Sequence, residues 1–297
     1  MRVLLATDGN LPAAQAQHLL ERIGDRDELD ITVMVVPVTV LGAVEYVPVP
    51  AEWEKEQVLH AHKLAKRTVA ELDGAGFRAD SCVRRGAPAT EILRVIQKEE
   101  VDLTVMGAGH SSWLGNLILG SVSTHVLHAS PSSVLVVHTL LQRPADRARV
   151  LLGTDGSESS IGAARLVTEV ADPARCSVSV VSVAPRAPTL NLAPMAIMPP
   201  AVARNDQFQE ELIERARHHT IGAKHLVADA GFDVDMAITV GHPASALLKE
   251  AENLGCDVVA VGSRGLGPLR RSLLGSVGDN VARHAAATLV SRNREAP

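Results

Sequence analysis

Residues 2–10 read Arg2-Val3-Leu4-Leu5-Ala6-Thr7-Asp8-Gly9-Asn10, and residues 149–157 repeat them as Arg149-Val150-Leu151-Leu152-Gly153-Thr154-Asp155-Gly156-Ser157. Each is an apolar, strand-like run that ends in a Thr-Asp-Gly turn. Three further pairs follow in the same order. Gly86-Ala87-Pro88 answers to Gly241-His242-Pro243, Asp102–Gly107 to Asp257–Gly262, and Leu119–Val122 to Leu274–Val277. Preserved order over four motifs means a tandem duplication of a domain of about 140 to 150 residues. The halves are expected at 1–140 and 148–297, joined through Thr139–Arg147.

Within each half, β-rich runs alternate with helical patterns. Strands are expected at Arg2–Thr7, Ile31–Val38, Arg78–Arg84, Leu103–Met106 and Ser133–His138, then at Arg149–Thr154, Ser177–Val183, Asp233–Thr239, Val258–Val261 and Thr288–Ser291. The helices between them are Ala13–Ile23, Glu52–Gly74 and Ala89–Glu99 in the first half. Ser159–Val170, Asp206–Ala230 and Ala244–Leu254 are their counterparts in the second. Strand, helix, strand, helix is the signature of an α/β fold with a parallel sheet covered on both faces. Ser133–His138 is apolar enough to seek a partner at a sheet edge, whereas Thr288–Ser291 reads as shorter and more polar. The second half carries about ten extra residues within Ala184–Asn205, either a loop packed on its own domain or a lid near a ligand.

Composition narrows the function. The chain has 297 residues, 46% hydrophobic and 21% charged, the balance of a globular protein with sizeable cores. A formal net charge of -5 and only 2% aromatic residues argue against nucleic acid as a partner. No apolar run has transmembrane length. The apolar start is too short for an export signal, and the three separated cysteines suit a reducing compartment, so a cytoplasmic location is expected. No Cys-x-x-Cys, His-x-x-x-His or Ser-His-Asp arrangement can be read, so neither metal ligands nor catalytic residues are assigned. His60 and His62 fall on different faces of a helix, and His218-His219 reads as solvated surface.

The strongest site signal is Val261–Val277: Gly262, then Gly265 after two residues, then Gly275-Ser276 after nine more. A strand that ends in a Gly-rich, Arg-containing loop and opens a helix is built for phosphate, because bare N–H groups and the helix dipole meet the anion. The Walker, Rossmann and kinase motifs are missing. The Thr-Asp-Gly turns have two open readings: Asp8 and Asp155 either accept ribose or base hydrogen bonds, or they form Asx turns and helix caps.

Together these motifs resemble the tandem form of the universal stress protein family. Asp155-Gly156-Ser157, Gly241-x-Pro243 and Gly-x-x-Gly-x(9)-Gly-Ser all sit at the family's spacing in the second half. The resemblance implies two doubly wound domains, each a five-stranded parallel sheet of order 3-2-1-4-5, of the adenine nucleotide α-hydrolase-like type. It implies ATP, accompanied by Mg²⁺ through its phosphates, between the first and fourth strands. Carried over by position, Thr154, Asp155 and Val183 hold the adenosine end, and Gly262, Arg264 and Gly265 wrap ribose and phosphates. Gly275, Ser276 and Val277 meet the outer phosphates. Arg270 and Arg271 either add positive charge or form a solvated helix face. In the first half Asp8, Gly107, Gly120 and Ser121 match, but His110 replaces the second glycine, Asn10 replaces the serine, and Ser111, Ser112 and Trp113 replace Leu266, Gly267 and Pro268. That site is expected to be weak, empty or altered in affinity. The family's last strand meets its twin, which implies a pseudo-dimer within the chain and allows a homodimer of chains. The function implied is a nucleotide-dependent stress-response regulator; a nucleotide-independent interaction protein and a slow ATPase are the alternatives.

Overall fold

The computed structural model describes residues 1–37, 51–109, 119–139, 147–187, 200–263 and 274–292. In chain order the first half contains β1 (Arg2–Ala6), α1 (Leu11–Ile23), β2 (Asp30–Val35), α2 (Ala51–Gly74), β3 (Arg78–Val83), α3 (Pro88–Lys98), β4 (Leu103–Gly107), α4 (Ser121–Ala129) and β5 (Ser133–Val137). The second repeats it with β6 (Ala148–Gly153), α5 (Glu158–Val170), β7 (Cys176–Ala184), α6 (Pro200–Asp229), β8 (Asp233–Val240), α7 (Pro243–Leu254), β9 (Val258–Gly262), α8 (Ser276–His284) and β10 (Ala287–Ser291).

Each half is a parallel sheet of order 3-2-1-4-5, and the two are fused into one ten-stranded sheet, β3-β2-β1-β4-β5-β10-β9-β6-β7-β8. The seam is the antiparallel pair of β5 and β10, with Leu135 opposite Leu289 and Val136 opposite Thr288. All five residues of each seam strand are buried. The last strand is thus as long as its partner, because Ala287 extends it, and its more polar composition is accommodated where the Thr288 hydroxyl donates to the Val281 carbonyl at 3.2 Å.

Alternation sorts the strand residues between two cores. In β1, Val3 and Leu5 face one core and Leu4 and Ala6 the other. The first core takes Leu19 and Leu20 of α1, Leu72 of α2, and Ala163 and Val167 of α5. The second takes Val95 of α3, Val126 of α4, Leu247 of α7 and Val281 of α8. Both cores include residues from both halves. Burying each Val or Leu contributes about 2 kcal/mol, so the buried seam strands tie the two halves together through both cores.

One helix start differs from expectation. Helix α6 begins at Pro200, six residues before Asp206, inside the stretch read as the insertion; a proline at a helix start has no intrahelical bond to lose. Residues 140–146 of the expected linker and 188–199 of the insertion lie outside the described residues. Pro88 and Pro243 open α3 and α7 as read.

Candidate functional site

In the second half, β6 and β9 are neighbours (Val150 opposite Val258), and the chain leaves them toward opposite sides of the sheet. Such a switch point leaves a crevice beyond the strand ends. One wall is the turn after β6. Thr154 is buried, with its amide on the Val181 carbonyl at 2.9 Å and its hydroxyl 3.1 Å from Ser160 Oγ. Asp155 Oδ1 accepts from the Ser157 amide at 3.0 Å and the Ser157 hydroxyl at 2.5 Å, an Asx turn. Ser157 is in turn the N-cap of α5, accepting from the Ser160 amide at 3.2 Å. The structure thus draws Asp155 into the turn geometry that was one of its two readings. Val183 lies half-buried near the end of β7.

The other wall is the start of α8. Gly275 returns the chain through its amide to the Ser263 carbonyl at 2.7 Å. It is the N-cap of α8 and offers no capping side chain. The Asp279 amide bonds the Gly275 carbonyl at 2.9 Å, which leaves the amides of Ser276, Val277 and Gly278 without an intrahelical acceptor. Ser276 is exposed and Val277 half-buried. Burial opposes ionisation of Asp279. The bidentate Arg283 guanidinium, at 2.9 and 3.1 Å, and His128 across the seam at 3.2 Å outweigh it and hold the carboxyl below its ordinary range.

Gly262 has a reason of its own. A Cβ there would lie 2.6 Å from the Ser159 carbonyl carbon and hydroxyl, so glycine lets β9 run against the start of α5. Gly107 does the same in the first half, where a Cβ would lie 2.6 Å from Pro12 and Ala13 backbone. Their presence is explained by strand-on-helix packing before any phosphate is invoked. Arg264, Gly265, Arg270 and Arg271, with His110 and residues 111–113, lie outside the described residues.

The first half reproduces the arrangement. Asp8 accepts from the Asn10 amide at 3.1 Å and its side-chain amide at 2.9 Å, and Asn10 caps α1 through the Ala13 amide at 2.9 Å. Gly120 is the N-cap of α4 without a side-chain cap, and Ser121 is exposed. Asn10 is therefore no departure in role: it performs the capping that Ser157 performs.

One residue of the second site escaped the sequence reading. His218 is exposed as expected, but His219 is half-buried and its ring lies against the Gly156 turn. Alignment of the repeat on Phe77 and Phe232 pairs His219 with Leu64, an apolar position in one copy and an imidazole in the other. That contrast was the available signal. A cleft of about 1110 Å³ follows α5 from Gly156 to Glu169 and reaches Met1 and Asp102; its lining omits Thr154, Ser263 and Ser276, so it borders the crevice without being it. Among the described residues, no group of three or more His, Cys, Asp or Glu could hold a metal ion. No described helix is long and apolar enough to cross a membrane.

The sequence profile described as the universal stress protein family matches residues 1–138 and again 147–290. The chain belongs to the universal stress protein family. A universal stress protein of Mycolicibacterium smegmatis is 28% identical over 294 residues, covering 97% of this chain and 95% of that protein. One from Mycobacterium tuberculosis is 26% identical over 280 residues, 88% of each. Among solved structures, a universal stress protein from Archaeoglobus fulgidus superposes with a TM-score of 0.65 at 21% identity, covering 99% of this chain and 98% of that one, which shows the shared tandem fold. Both halves of this universal stress protein therefore carry the family fold.

Proposed function

We propose that this universal stress protein binds an adenine nucleotide, ATP, in the crevice of its second half and acts as a nucleotide-dependent regulator of a cytoplasmic stress response. The observation that carries the reading is the open start of α8. Three helix amides without intrahelical acceptors sit beyond β9, beside the strand whose turn supplies Asp155. Helix amides and dipole favour phosphate, and a carboxylate at a strand end accepts ribose hydroxyls. In this reading the amides of Ser276, Val277 and Gly278 take the outer phosphates, while Gly275, whose own amide is bonded to Ser263, lets the phosphates approach closely; Thr154 and Asp155 take the ribose, Val183 flanks the base, and Gly262, Arg264 and Gly265 complete the path. Mg²⁺ arrives on the phosphates, where it neutralises charge. The protein is a binder, with the halves acting as a pseudo-dimer and further chains or proteins as its partners.

Titration calorimetry with ATP tests this. Ser276→Asp places a carboxylate where a helix start tolerates it, yet opposes the phosphates. It should weaken ATP at least tenfold, while Ser121→Asp has a smaller effect. Equal losses would remove the primacy of the second half. No heat from the unaltered protein would leave the nucleotide-independent interaction protein as the better reading.

A further inference from the structure

The two Thr-Asp-Gly turns are near copies. Gly9 and Gly156 adopt φ of +76° and +75°, and in each turn the Asp Oδ1 accepts from the amide two residues on, at 3.1 and 3.0 Å. The residue after each glycine caps the next helix. The turns differ in the side chain that roofs them. In the first half Leu64 of α2 covers Gly9, and a Cβ there would lie 3.1 Å from Leu64 Cδ2. Leu64 packs with Val35, Ala61, Ala65 and Val83 and carries no proton. In the second half His219 of α6 covers Gly156 more closely, and a Cβ there would lie 2.4 Å from Cδ2 and 2.8 Å from Nε2.

From this arrangement we infer that His219 is a positioning residue for Asp155: the neutral imidazole leaves the carboxylate to the ligand, and the imidazolium captures it and releases the ligand. The inference rests on the nucleotide reading of the second site and adds its regulation. The charges that face His219 are Asp155, which attracts a proton to the ring, and Arg215 and His218 on its own helix, which repel one. Burial outweighs them and holds the ring below its ordinary range, so at neutral pH it is uncharged. A ring that charges on acidification, one residue from the carboxylate, then competes with ribose hydroxyls for the same oxygens. The first half, with leucine in the roof, has no such response.

The test measures ATP affinity at pH 7.5 and pH 5.5 for the unaltered protein, for His219→Gln and for His219→Leu, which imports the roof of the first half. Protonation of ATP itself is common to all three. The unaltered protein should lose about twofold more affinity between the two pH values than either variant, the factor expected for a ring whose midpoint lies below about 6.5. Imidazole NMR of the ligand-free protein supplies a readout without nucleotide: Asp155→Asn should lower the His219 titration midpoint by removing its attractive partner. Equal pH ratios in the three proteins, or a midpoint unmoved by Asp155→Asn, overturn the positioning role and leave the nucleotide reading intact. Failure of the unaltered protein to bind ATP at either pH overturns both.

Discussion

The Arg22 guanidinium lies 2.9 Å from Asp257 Oδ1, and the two residues belong to different halves. Arg22 is next to last in α1, and Asp257, its side chain 4% exposed, precedes β9 and also receives the Arg149 amide at 2.9 Å. The repeat puts Glu169 next to last in α5 and Asp102 ahead of β4. The repeat thus sets a cation against a carboxylate at one pair of equivalent positions and has two carboxylates, Glu169 and Asp102, at the other. The second pair is where the cleft of about 1110 Å³, lined by both Asp102 and Glu169, is found.

Removing one member of a nearly buried pair strands the other, which costs more than the net worth of the pair. Arg22→Ala should therefore lower unfolding free energy by about 2 kcal/mol. Arg22→Ala with Asp257→Ala should cost less than the two single losses added together. A denaturant series on the four proteins checks this, and simple additivity would mean the contact carries no coupling. The exposed pair Arg2–Glu100, 2.7 Å apart, serves as the contrast, because solvent screens it and its loss should be undetectable.

The two helix caps give a second prediction. Asn10 and Ser157 each accept from an amide three residues on. Asn10→Ala and Ser157→Ala should each cost about 1 kcal/mol, while Asn10→Ser and Ser157→Asn should stay within about 0.5 kcal/mol, since the cap preference ranks these residues together. Thermal unfolding of the four variants decides it. A large loss in Asn10→Ser would mean the side-chain amide bond to Asp8 matters more than the cap.

The fold was legible because its information is local. Matched runs such as Arg2–Asn10 and Arg149–Ser157 mark the strand ends, and Pro88 and Pro243 mark helix starts, without knowledge of what packs where. Strand order came from resemblance, since periodicity does not say which strands are neighbours. The seam was half legible: the apolar run at Ser133–His138 called for a partner, but Thr288 looked polar because its acceptor, the Val281 carbonyl, is seven residues away and close only after folding. The site was less legible still. Gly107 and Gly262 read as phosphate glycines in the sequence, yet the starts of α1 and α5, packed against β4 and β9, already demand them. His219 reads as surface in the sequence because its partner turn lies more than sixty residues earlier in the chain.

Cysteine reactivity gives a third prediction. Cys176 sits at the start of β7 with its sulfur 3.7 Å from the Ile23 carbonyl, at the contact between halves. Burial, with Asp172 nearby, pushes its thiol up to about 12. Thiolate is the reactive form, so Cys176 should resist a thiol reagent at pH 8 in the native protein and react once denaturant opens the seam. Cys82, half-buried on edge strand β3, should react first. Mass spectrometry after timed labelling assigns the order. Early labelling of Cys176 would show that the contact between α1 and β7 opens on its own.

Acid should weaken the seam through His138. This residue follows β5, is 7% exposed, and its Nε2 lies 2.8 Å from the Ala282 carbonyl of α8. Burial lowers its pKa, with the Ala282 bond opposing and His284 assisting. The folded value is thus below the unfolded value of about 6.5. Between those two values the unfolded chain binds the extra proton, so stability falls as pH drops below about 6.5 and stops falling once the folded ring is also charged. Above about 6.5 both states are neutral and His138 contributes no slope. His138→Gln keeps a donor for Ala282 but cannot titrate. Unfolding free energies at pH 7 and pH 5 should therefore fall further in the unaltered protein than in His138→Gln, all other groups being shared. An equal fall in the two proteins would place the acid sensitivity elsewhere and show that the seam admits a charged imidazole without penalty.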